Sequence, residues 1–369
     1  MDQRRSLGFA AAAVTAAAAT TVICFGDALG LVQSRARASA AVAVKPAHAA
    51  SRPIDVLQDA ASWIVPAPAG STSLRGKVVI VNFWTYSCIN SLRALPYLRA
   101  WNERYASKGL EVVGVHAPEF GFEHDAANVR RALGQLDVPY PNVQDNDFGL
   151  WRAFANQGWP GLYFIDARGR MRGYRLGEGG YDKDERLIRT LLAEAGQTIS
   201  DMPLPPIKGL GVEAQADWAD LGSTETYLGY AKNVGFASPG GLRKDAARSY
   251  APAGALAPNH WDLAGNWKVG REYAVLESGP GTIRFRFHAR DLHLVLGGAA
   301  DASPARFRVT IDGHAPGASH GLDVDAAGWG QVAESRLYQL IRQPGEVADR
   351  TIAIEFSRPG VRAYVFTFG

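Results

Sequence analysis

Hydrophobic and polar residues change rhythm along the chain, and the change divides it. From Gly76 the sequence GKVVIVNFW is a continuous apolar run rich in valine, the pattern of a strand buried on both faces. A turn containing Cys88 follows. Leu92, Leu95, Leu98 and Trp101 then recur at helical spacing until Lys108-Gly109 stops them. LEVVGVHAP predicts a second buried strand, and DAANVRRALGQLDV predicts an amphipathic helix that ends before Pro139. WPGLYFIDARGRMRGYRLGEG reads as two strands around an Ala-Arg-Gly turn, and a last helix runs from about Asp182 to Ala195. Strands alternating with helices predict an α/β layered fold on a mainly open sheet.

The proline-rich MPLPPIKG, Met202 to Gly209, is stiff and marks a boundary. Beyond it the period falls to two. In TIRFRFHARDLHLVLG, Ile283, Phe285 and Phe287 alternate with Arg284, Arg286 and His288, and the same alternation recurs in RFRVTID and TIAIEFSRPGVRAYVFTFG. Short alternating strands with Gly, Pro and Asp turns predict an antiparallel all-β sandwich. The expected organisation is an export signal and disordered stretch over 1–52, an α/β domain over 53–200, a linker over 201–217 and the β-sandwich over 218–369. There is no internal repeat.

Met1 to about Val32 has a basic start at Arg4 and Arg5, a weakly apolar alanine-rich run and small residues after it, which is the grammar of an export signal. Arg4-Arg5 followed by Ser6-Leu7 partly matches a twin-arginine signal, with a Sec signal or an uncleaved N-terminal anchor as alternatives. Asp27 beside the apolar run argues against a spanning helix, and Ile23 is a poor neighbour for lipid attachment at Cys24. The expected location is the periplasm or the outside of the cell, where disulfides persist.

Composition narrows the chemistry. With 47% hydrophobic and 20% charged residues among 369, the chain is globular. A formal charge of +3 and scattered Lys and Arg exclude nucleic-acid binding. Two cysteines, Cys24 and Cys88, support neither a disulfide framework nor a zinc site. The eight histidines show no ligand-like spacing, and His288 and His293 are expected at the sandwich surface. No metal and no cofactor are expected.

Cys88 carries the chemistry. A strand that hands over directly to a helix places the turn residue at the helix N-terminus, where free N–H groups and the dipole favour a thiolate. The alternative is a small buried hydrophobe. FWTYSCINS followed by ALPYL resembles the thioredoxin signature, with an aromatic pair that includes Trp84, a CxxC altered to CxxS by Ser91, and the kinking proline at Pro96. GWPGLYFID resembles the second thioredoxin landmark, which implies a cis Trp159-Pro160 bond and a substrate-docking role for Pro160. The helix inserted between them resembles the TlpA/ResA and AhpC/TSA redoxin branch. GVHAPEFGFE, DNDFGLWRAF, GEGGYD and the stretch from TETYLGYAKN to YVFTFG resemble the exported region of DipZ-type proteins. The resemblance implies a three-layer α/β/α thioredoxin fold followed by a jelly-roll-like, carbohydrate-binding-module-like sandwich.

Ser91 cannot resolve a mixed disulfide, but its hydroxyl can bond the Cys88 sulfur or cap the helix. Three functions remain open. The first is monothiol exchange, with Cys88 attacking a protein or small-molecule disulfide and an external thiol resolving. The second is peroxide reduction through a sulfenic acid. Thr85 fits the peroxiredoxin spacing, but Val81 stands where its proline belongs. The third is an inactive binding module, with Trp261, Trp267 and Trp329 offering ring-stacking positions for carbohydrate. Glu119, Glu123 and His116 lie on the loop that a TlpA-like fold brings near the cysteine, where Glu119 can exchange a proton. Asn82 occupies the place of the buried thioredoxin aspartate.

Overall fold

A computed structural model describes residues 53–58, 60, 63–65, 74–199, 205–298 and 303–369; the segment expected to be an export signal, with Arg4, Arg5 and Cys24, and the start of the proline-rich linker, lie outside them. In chain order the first part comprises α1 (Pro53–Gln58), β1 (Trp63–Val65), β2 (Val78–Trp84), α2 (Ile89–Tyr105), β3 (Leu110–His116), α3 (Ala126–Gln135), β4 (Asn142–Gln144), α4 (Gly149–Ala153), β5 (Gly161–Ile165), β6 (Met171–Leu176) and α5 (Tyr181–Glu194). The six strands form one mixed sheet in the order β1-β4-β3-β2-β5-β6. β2, β3 and β4 run parallel, with α2 as the crossover between β2 and β3. β5 pairs antiparallel with both β2 and β6.

Alternation along β2 explains the layers. Val78, Ile80 and Trp84 face a cluster with Leu92, Leu95 and Leu98 of α2, Val129 and Leu133 of α3 and Ile188 and Leu191 of α5. Val79, Val81 and Phe83 face the opposite cluster with Ile54 and Leu57 of α1 and Leu150 and Phe154 of α4. One unbroken apolar run thus serves two cores. Asp125 caps α3, its side chain accepting from Ala127 N at 2.8 Å.

The second part is all antiparallel: β7 (Thr226–Tyr227), β8 (Ala247–Tyr250), β9 (Trp261–Val269), β10 (Ala274–Phe287), β11 (Asp291–Gly297), β12 (Ala305–Ile311), β13 (Trp329–Val332), β14 (Arg336–Arg342), β15 (Arg350–Phe356) and β16 (Arg362–Phe368). These strands make one curled sheet whose main path is β13-β12-β15-β10-β16-β11-β14. The 14-residue β10 links its two halves, pairing with β16 through Ala274 and Val275 and with β15 through 281–287. Gly281 lies at the bend, where a Cβ would sit 2.4 Å from Leu276. Ile283, Phe285 and Phe287 point into the core as their alternation predicts.

The described residues pack as one compact unit. β11 and β16 are buried on both faces, since Val295, Tyr364 and Val365 join the cluster of Tyr86, Ile89 and Phe120 in the α/β part. His293 shares this covered side of β11. It has no exposed surface, which corrects the expected surface placement. The same phase argument corrects two tryptophans. Trp261 and Trp267 fall on the inward positions of β9 with Leu263 and Val269, at zero exposure, so neither offers a face to a sugar ring. Trp329 alone of the three is open, at 40%, and the Arg306 guanidinium lies 4.5 Å from its ring centre.

Candidate active site

β2 ends at Trp84, and the chain turns through Thr85, Tyr86 and Ser87 into α2. Cys88 is the N-cap residue, in extended backbone with φ −88° and ψ 118°. Its N–H donates to Thr85 O at 3.3 Å, and its carbonyl accepts the first helical bond from Leu92 N at 3.0 Å. The helix start therefore lies where the sequence places it, but the charge state does not follow. Cys88 is only 8% exposed. Burial first, then the charges of Glu119 and Glu225, push the thiol well above the ordinary cysteine range, and the N–H and hydroxyl of Ser91 oppose them without prevailing. A helix terminus contributes about 0.3–1 kcal/mol to an anion at an exposed site; withdrawing an anion from water costs more than that. The expected thiolate at neutral pH is thus corrected to a thiol. The midpoint for alkylation of Cys88 should accordingly lie above the ~8.5 of a free cysteine, as a pH series of iodoacetamide labelling read by mass spectrometry will show.

Ser91 is fully buried on the first turn, its Oγ 3.5 Å from Thr85 N. Trp159-Pro160 is cis. Pairing of Phe83 with Gly161 sets Pro160 at the level of Trp84, beside the turn that carries Cys88. The Pro160 loop is held by Trp159 Nε1 donating to Ala117 O at 3.0 Å and by Gly177 N donating to Pro160 O at 2.8 Å. Trp84, which the resemblance to the thioredoxin signature makes a candidate catalytic-site residue, does not reach the surface. It has no exposed surface, and its indole N–H donates to Asn142 Oδ1 at 2.9 Å, so it cannot touch a substrate. Asn142 reaches it across Gly114, where a Cβ would lie 1.9 Å from that oxygen.

Beneath the turn lies a carboxyl with no exposed surface, Glu123. Its Oε1 accepts from Thr85 Oγ1 and Ser87 Oγ, each at 2.5 Å, and its Oε2 from the backbone N–H of Glu119 at 2.5 Å and of Phe120 at 3.0 Å. Burial nevertheless outweighs these donors and raises the carboxyl to about 7. His116, stacked on Tyr86 and without exposed surface, is driven by burial down to about 3 and is neutral. Because Thr85 donates to Glu123, the His116 Nε2–H is the donor across the 3.4 Å to Thr85 Oγ1.

Sequence reasoning missed the residues that close the site, since they come from the second part of the chain and carry no local signal. Tyr227 Oη stands 2.6 Å from Glu119 Oε1 and 3.0 Å from Glu225 Oε2. Lys232 Nζ lies 3.3 Å from Glu119 Oε1. Phe120 and Phe122 pack on Tyr364, ring centres 5.0 and 4.9 Å apart. Arg93, one turn into α2, donates to Glu178 Oε1 at 3.1 Å and to Phe368 O at 3.1 Å. The sandwich therefore lies over the helix start that carries the sulfur. Among the described residues no three His, Cys, Asp or Glu side chains gather as metal ligands.

A cysteine at the start of α2, Ser91 three residues on and a cis-proline at the adjacent strand end stand on a mixed sheet flanked by helices, the layout of a thioredoxin fold. Residues 68–174 match the AhpC/TSA family and residues 223–369 the thioredoxin-like C-terminal domain. The chain belongs to the thioredoxin-like family, with an AhpC/TSA-type domain followed by that C-terminal domain. It is 36% identical over 240 residues to protein DipZ of Mycobacterium tuberculosis, covering 65% of this chain and 34% of DipZ, about a third of that protein's length. The thiol:disulfide interchange protein DsbE of Pseudomonas fluorescens is 30% identical over 133 residues, 36% of this chain and 67% of DsbE. A solved thioredoxin of Neisseria meningitidis is 26% identical, covering 36% of this chain and 91% of its own, with a TM-score of 0.31. Among the described residues no helix is long and apolar enough to cross a membrane.

Proposed function

We propose that the chain is an exported thiol-disulfide oxidoreductase of monothiol type, in which Cys88 attacks a disulfide and an external thiol releases the product. In this reading residues 53–200 form the redox domain, 201–217 the linker and 218–369 the accessory sandwich. The supporting observation is the single sulfur at the start of α2, with Pro160 at the neighbouring strand end and the Ser91 hydroxyl where a resolving thiol would stand. Attack forms a Cys88–substrate disulfide and expels one thiolate; a second thiol attacks that disulfide and leaves Cys88 reduced. Protein and small-molecule disulfides are the substrates, and Ser91 stabilises the sulfur that develops charge. The name of DsbE points to the same chemistry.

Peroxide reduction is the weaker reading. The charges felt at Cys88 are carboxylates, whereas a cation beside the thiol is what stabilises a peroxidatic thiolate. The Thr85 hydroxyl is committed to Glu123. A carbohydrate-binding role for the sandwich retains Trp329 alone of its three tryptophans.

The purified chain should reduce oxidised glutathione in the presence of an external thiol, and Cys88→Ala should return the rate to the uncatalysed background. A variant rate equal to that of the wild type would remove the reading. Strong trapping of sulfenic acid after peroxide, with no exchange activity, would replace it by the peroxidase.

A further inference from the structure

The seam between the sandwich and the α/β part is not wholly apolar. Val295, Leu337, Tyr364 and Val365 of the sandwich share one hydrophobic cluster with Tyr86 and Ile89, which flank Cys88 in the chain. On the same covered face three polar side chains stand in a row across neighbouring strands. Gln339 of β14 and Thr367 of β16 each pair with His293 of β11, and all three are buried. Neither ring nitrogen of His293 has a hydrogen-bond partner, and the Thr367 hydroxyl has none either. Gln339 turns its amide to Asp291 Oδ1 at 3.4 Å.

The charges that bear on the ring come from both parts. From α2 it feels Arg93, whose guanidinium donates to Glu178 Oε1, Ala214 O and Phe368 O. From the sandwich it feels Arg290 and Arg342, both held by Asp291, two residues before His293. These two also donate to Gln215 O and Gly211 O, in the segment that joins the parts. The carboxylates that accompany the cations, Asp291 and Glu178, are thus committed to guanidinium groups. A protonated ring here would add a second N–H without an acceptor and a fourth positive charge beside three. Burial first, then the three cations, hold the imidazole well below its ordinary value, so it is neutral.

We infer that His293 is an acid-sensitive latch, whose protonation releases the sandwich from the α/β part along the face of β11 and β16. The inference does not depend on the exchange reading. In the closed seam the ring has nowhere to place a second proton, whereas in an open seam water solvates it and it titrates near ~6.5. A group that takes up a proton only in the open form draws the equilibrium towards that form as pH falls. Above pH ~6.5 the ring is neutral in both forms, and the seam keeps its full stability. Each pH unit below that raises the ratio of open to closed molecules about tenfold. Opening uncovers Tyr86 and Ile89, on either side of Cys88 in the chain.

A thiol placed in the seam reads the opening. Val295 has no exposed surface and joins the cluster that closes the seam, two residues after His293. In the full-length chain with Cys24→Ala and Cys88→Ala, Val295→Cys is labelled with dithiodipyridine, and the rate is divided by that of an unstructured cysteine peptide at the same pH. The normalised rate should rise about a hundredfold between pH 7.5 and 4.5, following the open fraction. Adding His293→Leu, which matches the volume without a titrating ring, or His293→Gln, which keeps a polar group, should reduce the rise to less than about threefold; either variant suffices. Val309→Cys, in the interior of the sandwich, should stay protected throughout. A flat response at Val295→Cys, the same rise in the His293 variants, or an equal rise at Val309→Cys each overturns the latch. The second outcome would assign the acid response to other groups of the seam, and the third to unfolding of the whole chain.

Discussion

Arg93→Met should destabilise the protein by about 3–5 kcal/mol, the usual cost of removing one partner of a buried ion pair. Arg93 is 1% exposed and Glu178 6%. The guanidinium bonds Glu178 Oε1, Ala214 O and Phe368 O, so it joins α2 to the segment before the sandwich and to the last strand. It also fills the space beside Gly369, where no side chain competes with it. Methionine matches much of its length but leaves a buried carboxylate and two carbonyls without their donor. Burial already raises the Glu178 carboxyl, and Arg93 is what holds it down. Without that cation the folded carboxyl rises further above its unfolded value. The cost of the substitution should therefore be smallest at low pH and grow as pH rises towards neutral. Urea unfolding of wild type, Arg93→Met and the double variant Arg93→Met/Glu178→Leu measures this. The double variant should recover most of the loss, because it no longer buries an unpaired charge.

What the sequence reveals follows the range over which each feature is determined. β2 and β3 are legible because a valine-rich run between polar turns has one reading once helices flank it, and α2 because Leu92, Leu95, Leu98 and Trp101 keep one face for three turns. β1 and β4, three residues each, pair only with distant chain and leave no periodic trace. Position along the helix is likewise local, so Cys88 is found at the N-cap. Its protonation is not local. It depends on burial and on the charges of Glu119 and Glu225, which no pattern around Asn82 to Tyr97 encodes. Trp261 and His293 show the same limit from the other side: the inward phase of β9, and a second covered face on β11, become visible only once the partner layer is in place.

Glu123→Gln should abolish a pH-dependent part of the stability while preserving the fold. The carboxyl has no exposed surface, and burial raises it to about 7 against an unfolded value near 4.5. The folded state therefore favours the protonated form. Its contribution to stability is fully present below pH ~4.5 and is lost as pH rises through about 7. A difference of roughly 2.5 pH units corresponds to about 3 kcal/mol between those limits. The curve of unfolding free energy against pH should accordingly fall between about pH 4.5 and 7.5 in the wild type more steeply than in Glu123→Gln. The difference between the two curves isolates this group from others, such as His288, which its hydrogen bonds to Asp220 and Asp349 hold above its ordinary value. Glutamine keeps one acceptor for Thr85 and Ser87 but turns an NH2 towards the N–H groups of Glu119 and Phe120, so the variant should be less stable than wild type at pH 5 and approach it above pH 7. Parallel curves would mean that Glu123 is ionised throughout, its four donors outweighing burial. The turn that carries Cys88 would then rest on a fixed negative charge, which would oppose ionisation of the thiol across the whole pH range.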